Sequence, residues 1–483
     1  MVEWTGWFGM TMSIIDLAIR IVAVATIPHN RRPSSSLGWL LLIMITPVLG
    51  MAIFLLIGSP FVRGRRQLVQ ERGDKMITSR AEALPDFPDG DLLPDGLPSL
   101  VKLNRRLTSL PMLAGTSHGL FGDYTASLAA MAAAVRGARS RVYVEMYAMA
   151  RDAATEEFFD AMADAVRRGV TVRVLYDHLG SRKYPGFKRM NAWLDAHGIE
   201  WRQMMPIKPL QGRWRRPDLR NHRKLLVVDS EVAFMGSQNM IDSSYLLPGN
   251  LKAGRHWLDL NIKLTGPVVA SIEAVFALDW LTETGESLAA HVPQPGADPG
   301  GQPMQLIPSG PGYRTVPNLR LFTALIHRAQ HSLSITSPYF VPEDSLLEAV
   351  TTAAYRGVDV ELFVSEEADQ FVVHNAQASY YEALLEAGVR IYLYPKPTVL
   401  HAKFFTIDDV AGVIGSSNMD YRSFGLDYEI SLMGTAPEFV ADLQRVADGY
   451  RSVCRELTAQ EWAARPRMQR YKENVTRLMA ILQ

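Results

Sequence analysis

Cysteine is almost missing from this chain: Cys454 is the only one in 483 residues. A lone thiol excludes an internal disulfide and any cysteine-built metal cluster, and it fits a reducing compartment. Net charge is missing too, because 50 Lys and Arg balance 50 Asp and Glu. The chain as a whole exerts no pull on a polyanion, so nucleic acid is not an expected partner and any basic patch must be local. The marks of a secretory leader are lacking as well: the first apolar run has no basic start and no small-residue cleavage site before Pro28. What is present suffices for two or three domains. With 48% hydrophobic and 21% charged residues, the balance is that of a globular protein with a modest membrane part.

Residues 7–27 are apolar except for Asp16 and Arg20, which stand four apart and can pair on one helix face. Residues 37–57 carry no charge at all, and as one helix they would span about 31 Å, roughly a hydrocarbon core, with a kink at Pro47. The two runs, joined by PHNRRP (28–33), are expected to form a two-helix transmembrane hairpin within residues 1–62. Arg63, Arg65, Arg66, Arg72, Lys75 and Arg80 follow it, against Arg31 and Arg32 in the loop. The positive-inside rule therefore expects a multi-pass protein with its large domain on the cytoplasmic side.

Residues 63–99 join this basic segment to a Pro-rich linker. Beyond it, 140–147 reads as a strand, 154–168 as a helix and 169–177 as a second strand, a βαβ unit that implies parallel neighbours. The unit recurs at 331–337, 343–356 and 357–364. A period this long means a duplicated domain. The expected plan is an α/β fold of two lobes, 100–282 and 313–483, with the Gly- and Pro-rich stretch 283–312 as connector.

The strongest signal lies inside the duplication. HRKLLVVD (222–229) is followed by GSQN (236–239), and HAKFFTID (401–408) by GSSN (415–418), with identical spacings 179 positions apart. The apolar runs 225–228 and 404–407 read as buried strands, so His222 and Lys224 emerge on one face, as do His401 and Lys403. Asp229 and Asp408 open turns, and the returning strands bring Ser237, Asn239, Ser416 and Asn418 back near the histidines. Each copy thus offers an imidazole, an ammonium, a hydroxyl and an amide to one small volume. That set suits a phosphodiester: a nucleophile or proton carrier beside donors for the nonbridging oxygens. Lys224 and Lys403 supply charge without a metal, and no cofactor is expected. A neutral histidine needs its second ring nitrogen held by an acceptor, and Asp259 and Glu429, 37 and 28 residues after their motif histidines, are the candidates.

These residues resemble the phospholipase D superfamily, in which two such motifs face each other across one active site. NRRPSSSLGW (30–39), the stretch from Asp177 to Ser181, Ser309 to Pro311, and the approach to His401 from Tyr394 are similar to its bacterial cardiolipin synthase branch. The resemblance implies duplicated lobes with a mixed sheet flanked by helices and related by a pseudo-two-fold. It also implies catalytic roles for His222, Lys224, Asp229, His401, Lys403 and Asp408, with His222 as nucleophile and His401 as acid and base. The reaction implied joins phosphatidylglycerol to a second phospholipid and releases glycerol at the bacterial cell membrane. Asp229 and Asp408 belong to the motif but read as turn and scaffold residues. Arg213, Arg215, Arg216, Arg220 and Arg223, with Trp214 among them, read as a surface for anionic headgroups, each basic residue contributing about 1 kcal/mol at such a surface. Hydrolysis to phosphatidic acid by the same site is the competing reading. A non-catalytic scaffold and a nuclease fit less well, given the intact motifs and zero net charge.

Overall fold

The computed structural model describes residues 2–29, 33–58, 81–88, 93–208, 216–292, 300–313, 315–368 and 370–478, with isolated positions at 69–79 and 295–298. Three helices open the chain: α1 (Val2–Thr26), α2 (Pro33–Ile45) and α3 (Pro47–Ile57). Asp16 and Arg20 do pair, at 2.8 Å. The second apolar run is not one kinked helix. Thr46 leaves helical geometry (φ −131°, ψ 74°) and Pro47 starts a new helix, because proline removes an amide donor and suits a first helical turn. At 11 residues α3 covers only about 16 Å, half a hydrocarbon core. Among the described residues no helix is long and apolar enough to cross a membrane, which does not support the expected transmembrane hairpin. The three helices pack on Ala23, Ile27 and Ile43 and leave Trp7, Ile14, Leu17, Ile21, Leu41, Leu49 and Leu55 exposed. Arg31, Arg32, Arg63, Arg65, Arg66, Arg72 and Arg80, on which orientation was argued, lie outside the described residues.

The first lobe holds β1 (Leu113–Phe121), β2 (Arg141–Met146), β3 (Thr171–Asp177), β4 (Glu200–Met204), β5 (Arg220–Asn221), β6 (Leu225–Val228), β7 (Val232–Gly236), β8 (His256–Leu258) and β9 (Asn261–Thr265). The second holds β10 (Gln302–Ser309), β11 (Ser332–Thr336), β12 (Phe340–Val341), β13 (Asp359–Ser365), β14 (Arg390–Tyr394), β15 (Thr398–Leu400), β16 (Phe404–Ile407), β17 (Ala411–Gly415), β18 (Met419–Asp420), β19 (Asp427–Gly434) and β20 (Arg455–Leu457). The half-sheets run β1-β9-β7-β6-β2-β3-β4 and β10-β19-β17-β16-β11-β13-β14, the same order twice. In each, the βαβ strands pair in parallel (β2 with β3, β11 with β13) and the motif hairpin (β6–β7, β16–β17) is antiparallel. The duplicated, mixed-sheet α/β architecture expected from the sequence is present.

The lobes meet edge to edge. β1 and β10 pair antiparallel, Leu113 opposite Met304, which merges the half-sheets into one. Residues 302–309, expected to be connector, are therefore the joining strand of the second lobe; Pro303 and Pro308 hid it from a sequence reading. One core spans the joint, with Leu225, Met235 and Ile262 from the first lobe packed with Phe404, Ile414 and Leu432 from the second. Helix Val268–Thr284 buries 12 of its 17 residues and closes this core, as expected of a helix apolar all round.

Candidate active site

Each motif histidine sits just before its hairpin, at the carboxyl ends of the parallel strands, where open α/β sheets place ligands. Two short strands then carry it across the joint. β5 pairs in parallel with the start of β19, Asn221 opposite Tyr428, and β15 pairs with β8, Leu400 opposite Leu258. The backbone N–H of His222 donates to Tyr428 O at 2.8 Å, and that of His401 donates to Leu258 O at 2.7 Å. The residue after each accepting carbonyl is a carboxylate, so the orienting pairs are crossed. Nδ1 of His222 lies 2.9 Å from Glu429 Oε1, and Nδ1 of His401 lies 2.6 Å from Asp259 Oδ1. The sequence names both acids as orienting candidates but does not say which histidine each holds. Strand pairing between lobes decides it.

The serines of the Gly-Ser-x-Asn tails are not free for phosphate. Ser237 Oγ donates to Asp259 at 2.6 Å, and Ser416 Oγ donates to Glu429, with Ser423 Oγ donating to the other oxygen at 2.8 Å. Both motif serines are fully buried and fix the carboxylates that fix the histidines. The preceding glycines make this possible: a Cβ on Gly236 would lie 2.3 Å from Leu260 O, and one on Gly415 2.4 Å from Ile430 O. Asn239 and Asn418 do line the cavity. Asn239 accepts from Ala148 N–H and donates to the Tyr245 hydroxyl, while Asn418 Oδ1 is buried without a partner among the described residues.

Asp229 and Asp408 stand at the other end of their strands, away from the histidines. Asp229 accepts from the N–H groups of Arg139, Ser140 and Arg141, and Asp408 from those of Gln330, His331 and Ser332. Both occupy left-handed backbone (φ 54° and 47°). They tie the motif turn to the strand beside it and touch no reacting group, which corrects their placement among the catalytic residues.

His222, His401, Asn239 and Asn418 face one cavity of about 650 Å³. Lys224 and Lys403 are 2% and 3% exposed, and each Nζ donates to the carbonyl of its own motif histidine, at 2.7 and 2.6 Å. Burial dominates their chemistry. It pulls Lys224 down to about 8 and Lys403 to about 7, against the opposing pull of Glu429 and Asp259. Burial and the neighbouring ammonium groups also hold both imidazoles neutral, His222 well below its ordinary value and His401 at about 4. The two acids part company. Burial raises Glu429 to about 7, whereas for Asp259 the His401, Lys403 and Ser237 contacts outweigh burial and hold it below the usual range.

Sequence reasoning missed several wall residues. Tyr147 packs edge-on to His222, ring centroids 4.9 Å apart, and Lys224 Nζ lies 5.4 Å from the same ring. Asp420, Arg422 and Asp427 line the opposite-lobe side; Asp420 is raised to about 6 by burial. Tyr147 ends the 140–147 strand read from the sequence, and that end-of-strand position was the available signal. The expected basic surface is not as read. Arg220 (4% exposed) pairs with Asp177 and Arg223 (1%) with Asp279, while Arg216 pairs with Asp218. Arg213, Trp214 and Arg215 lie outside the described residues. Among the described residues no group of three or more His, Cys, Asp or Glu is placed to hold a metal ion.

Two pseudo-symmetric lobes that each lend a histidine and an asparagine to one cavity, with a buried lysine and carboxylate against the histidines, define a duplicated phosphodiester-handling fold. A family model described as "Cardiolipin synthase, PLD-like domain" matches residues 131–280 and 322–450, and one described as "Phospholipase D-nuclease N-terminal" matches 17–59. The chain is 32% identical to Cardiolipin synthase A of Serratia proteamaculans (strain 568) and 31% identical to that of Pectobacterium carotovorum subsp. carotovorum (strain PC1). Both alignments cover 98% of this chain and 97% of the relative. Phosphatidylserine synthase of Haemophilus influenzae Rd KW20 shares the fold (TM-score 0.60, 16% identity, 79% of this chain and 99% of that one). The chain belongs to the phospholipase D superfamily, in its bacterial cardiolipin synthase branch, and is an enzyme of the phosphatidyltransferase type.

Proposed function

We propose that this enzyme moves a phosphatidyl group from one phosphatidylglycerol to a second phospholipid, releasing glycerol, by way of a phosphohistidine. The observation that carries the reading is the crossed pair of His–carboxylate units whose histidines face one cavity, with a buried lysine beside each. With Nδ1 bound to an acid from the other lobe, each histidine presents Nε2 to the cavity. Nε2 of His222 attacks phosphorus, the P–O bond to glycerol breaks, and His401 gives its proton to the departing oxygen. His401 is neutral at rest, so the negative charge of the arriving phosphodiester must first raise its proton affinity. Lys224 and Lys403 neutralise the nonbridging oxygens as charge builds on them. In the second half, a hydroxyl of the acceptor loses its proton to His401 and attacks phosphorus; the new P–O bond forms as the P–N bond breaks, restoring His222.

The substrate lies in a bilayer, and α1 to α3 are suited to hold the enzyme there. They expose Trp7, Ile14, Leu17, Ile21, Leu41, Leu49 and Leu55, apolar side chains of the kind that mark a membrane contact. The reading therefore rests these helices on the bacterial cell membrane, with the catalytic lobes on the cytoplasmic side, where anionic lipid attracts the basic residues that follow them. Anchoring also raises the local concentration of lipid acceptor over water.

The test is product analysis on phosphatidylglycerol vesicles. Wild type should release glycerol and form a four-chain lipid, whereas His222→Ala and His401→Asn should do neither. Phosphatidic acid with no four-chain lipid would assign the enzyme to hydrolysis, and full activity in His222→Ala would remove the shared site.

A further inference from the structure

A second cavity, of about 560 Å³, adjoins the catalytic one through consecutive residues: Arg182 lines it, while Lys183 and Tyr184 line the catalytic cavity. Its wall is basic. Arg182, Lys188, Arg189 and Lys208 line it with no carboxylate among them, and none of the four side chains has a hydrogen-bond or ion-pair partner among the described residues. Its floor is the first turn of helix Phe187–Ala196. Gly186 in left-handed geometry (φ 81°) precedes that helix and offers no side-chain cap, so the N–H groups of the first turn are left for a ligand. Lys188 and Arg189 sit in that turn. Cations at a helix N-terminus oppose the helix dipole, an arrangement that becomes favourable only with an anion between them.

His178 supplies the independent indication. It is 4% exposed and lines the cavity, and its Nδ1 accepts from Ile207 N–H at 3.2 Å. That bond fixes the proton on Nε2, which has no partner among the described residues. Burial, then Lys208 and Arg182, hold the ring at about 4, so it is a neutral donor in a positive field.

We propose that this cavity seats the phosphate of an anionic phospholipid headgroup, that of the acceptor lipid, held by Arg182, Lys188, Arg189, Lys208, His178 and the helix N-terminus. The assignment rests on the transfer reading above. An acceptor such as phosphatidylglycerol carries its own phosphodiester one glycerol bridge from the hydroxyl that attacks. An anionic acceptor therefore needs a second phosphate seat beside the first, and the basic cavity adjoins the catalytic one.

The test uses the full chain and two double variants, Arg182→Gln/Lys208→Gln and Lys188→Gln/Arg189→Gln, with Lys208→Arg as the conservative control. Binding is measured to phosphatidylcholine vesicles with and without phosphatidylglycerol, and to inorganic phosphate alone. Each double variant should bind the anionic vesicles about tenfold or more weakly and show a matching rise in KM for phosphatidylglycerol, while Lys208→Arg keeps wild-type affinity. Unchanged vesicle affinity and KM in both double variants would overturn the proposal. So would inorganic phosphate binding wild type as tightly as the anionic vesicles do, which would assign the cavity to a soluble anion. If wild type released no glycerol at all, the transfer reading would fall, yet the difference in vesicle binding would still report on the cavity.

Discussion

Nδ1 of His401 lies 2.6 Å from Oδ1 of Asp259, and the two residues belong to different lobes. The mirror contact, His222 to Glu429, crosses the joint in the other direction. Neither half can hold its own histidine, so the site exists only while β5 stays paired with β19 and β15 with β8. Duplication here produced mutual dependence between the halves rather than two independent centres.

The crossing is open to direct measurement. Asp259→Asn should move the proton affinity and tautomer of His401 and leave those of His222 in place, read from NMR of labelled histidines. Glycerol release should fall by about 10²- to 10⁴-fold, since an amide in the orienting position favours the wrong tautomer. Glu429→Gln should reverse the NMR pattern. A shift at His222 in Asp259→Asn would show that the acids serve their own lobes.

The rate should be confined on both sides of neutrality. Lys403 at about 7 and Lys224 at about 8 lose their charge as pH rises, so kcat/KM should fall above roughly that range. Glu429 at about 7 gains a proton as pH falls and ceases to be a charged partner for His222, which supplies the acid limb. A bound phosphodiester favours protonated lysines, so the alkaline limb of kcat should lie at higher pH than that of kcat/KM. Lys403→Arg should move the alkaline limb of kcat/KM upward, because a guanidinium does not deprotonate in this range. An unmoved limb in that variant would remove Lys403 from the assignment.

Asp229 and Asp408 should behave as structural residues. Asp229 accepts three backbone N–H groups at 2.7 to 2.9 Å, bonds to a charged acceptor that stabilise by about 1.5–3 kcal/mol each before compensation. Asp229→Ala should cost about 3 kcal/mol in denaturant unfolding, while kcat per folded molecule stays within a few-fold of wild type. Complete loss of turnover in a normally stable variant would return the residue to the chemistry.

What the sequence disclosed followed from local pattern. The motif hairpins and both βαβ units were legible because alternation, β-branched runs and turn residues act over a few positions. Pairing between distant strands was not legible. No periodicity tells that Asn221 lies against Tyr428, so the sequence leaves open which acid holds which histidine and assigns Ser237 and Ser416 to phosphate rather than to the acids. Composition misled in two other places. A charge-free run of 21 residues looked like one helix, but Pro47 divides it, and the prolines of β10 made a central strand look like connector.

Arg223 shows the same limit and yields the last prediction. In sequence it belongs to a basic cluster suited to lipid headgroups. In the fold it is 1% exposed, ion-paired with Asp279, and donates to the backbone carbonyls of Glu429 and Ser309. Glu145 is buried in the same pocket, its acid raised by burial and by Asp279. Removing the guanidinium would leave Asp279 facing Glu145 with no countercharge and release the strand that carries Glu429. Truncating one partner of a buried ion pair costs about 3–5 kcal/mol. Arg223→Ala should therefore lower stability by that order in denaturant unfolding, with activity lost in parallel. Affinity of the folded protein for anionic vesicles should not change, because this charge never reaches the surface. A stable Arg223→Ala enzyme that had lost only vesicle binding would place the residue outside the core.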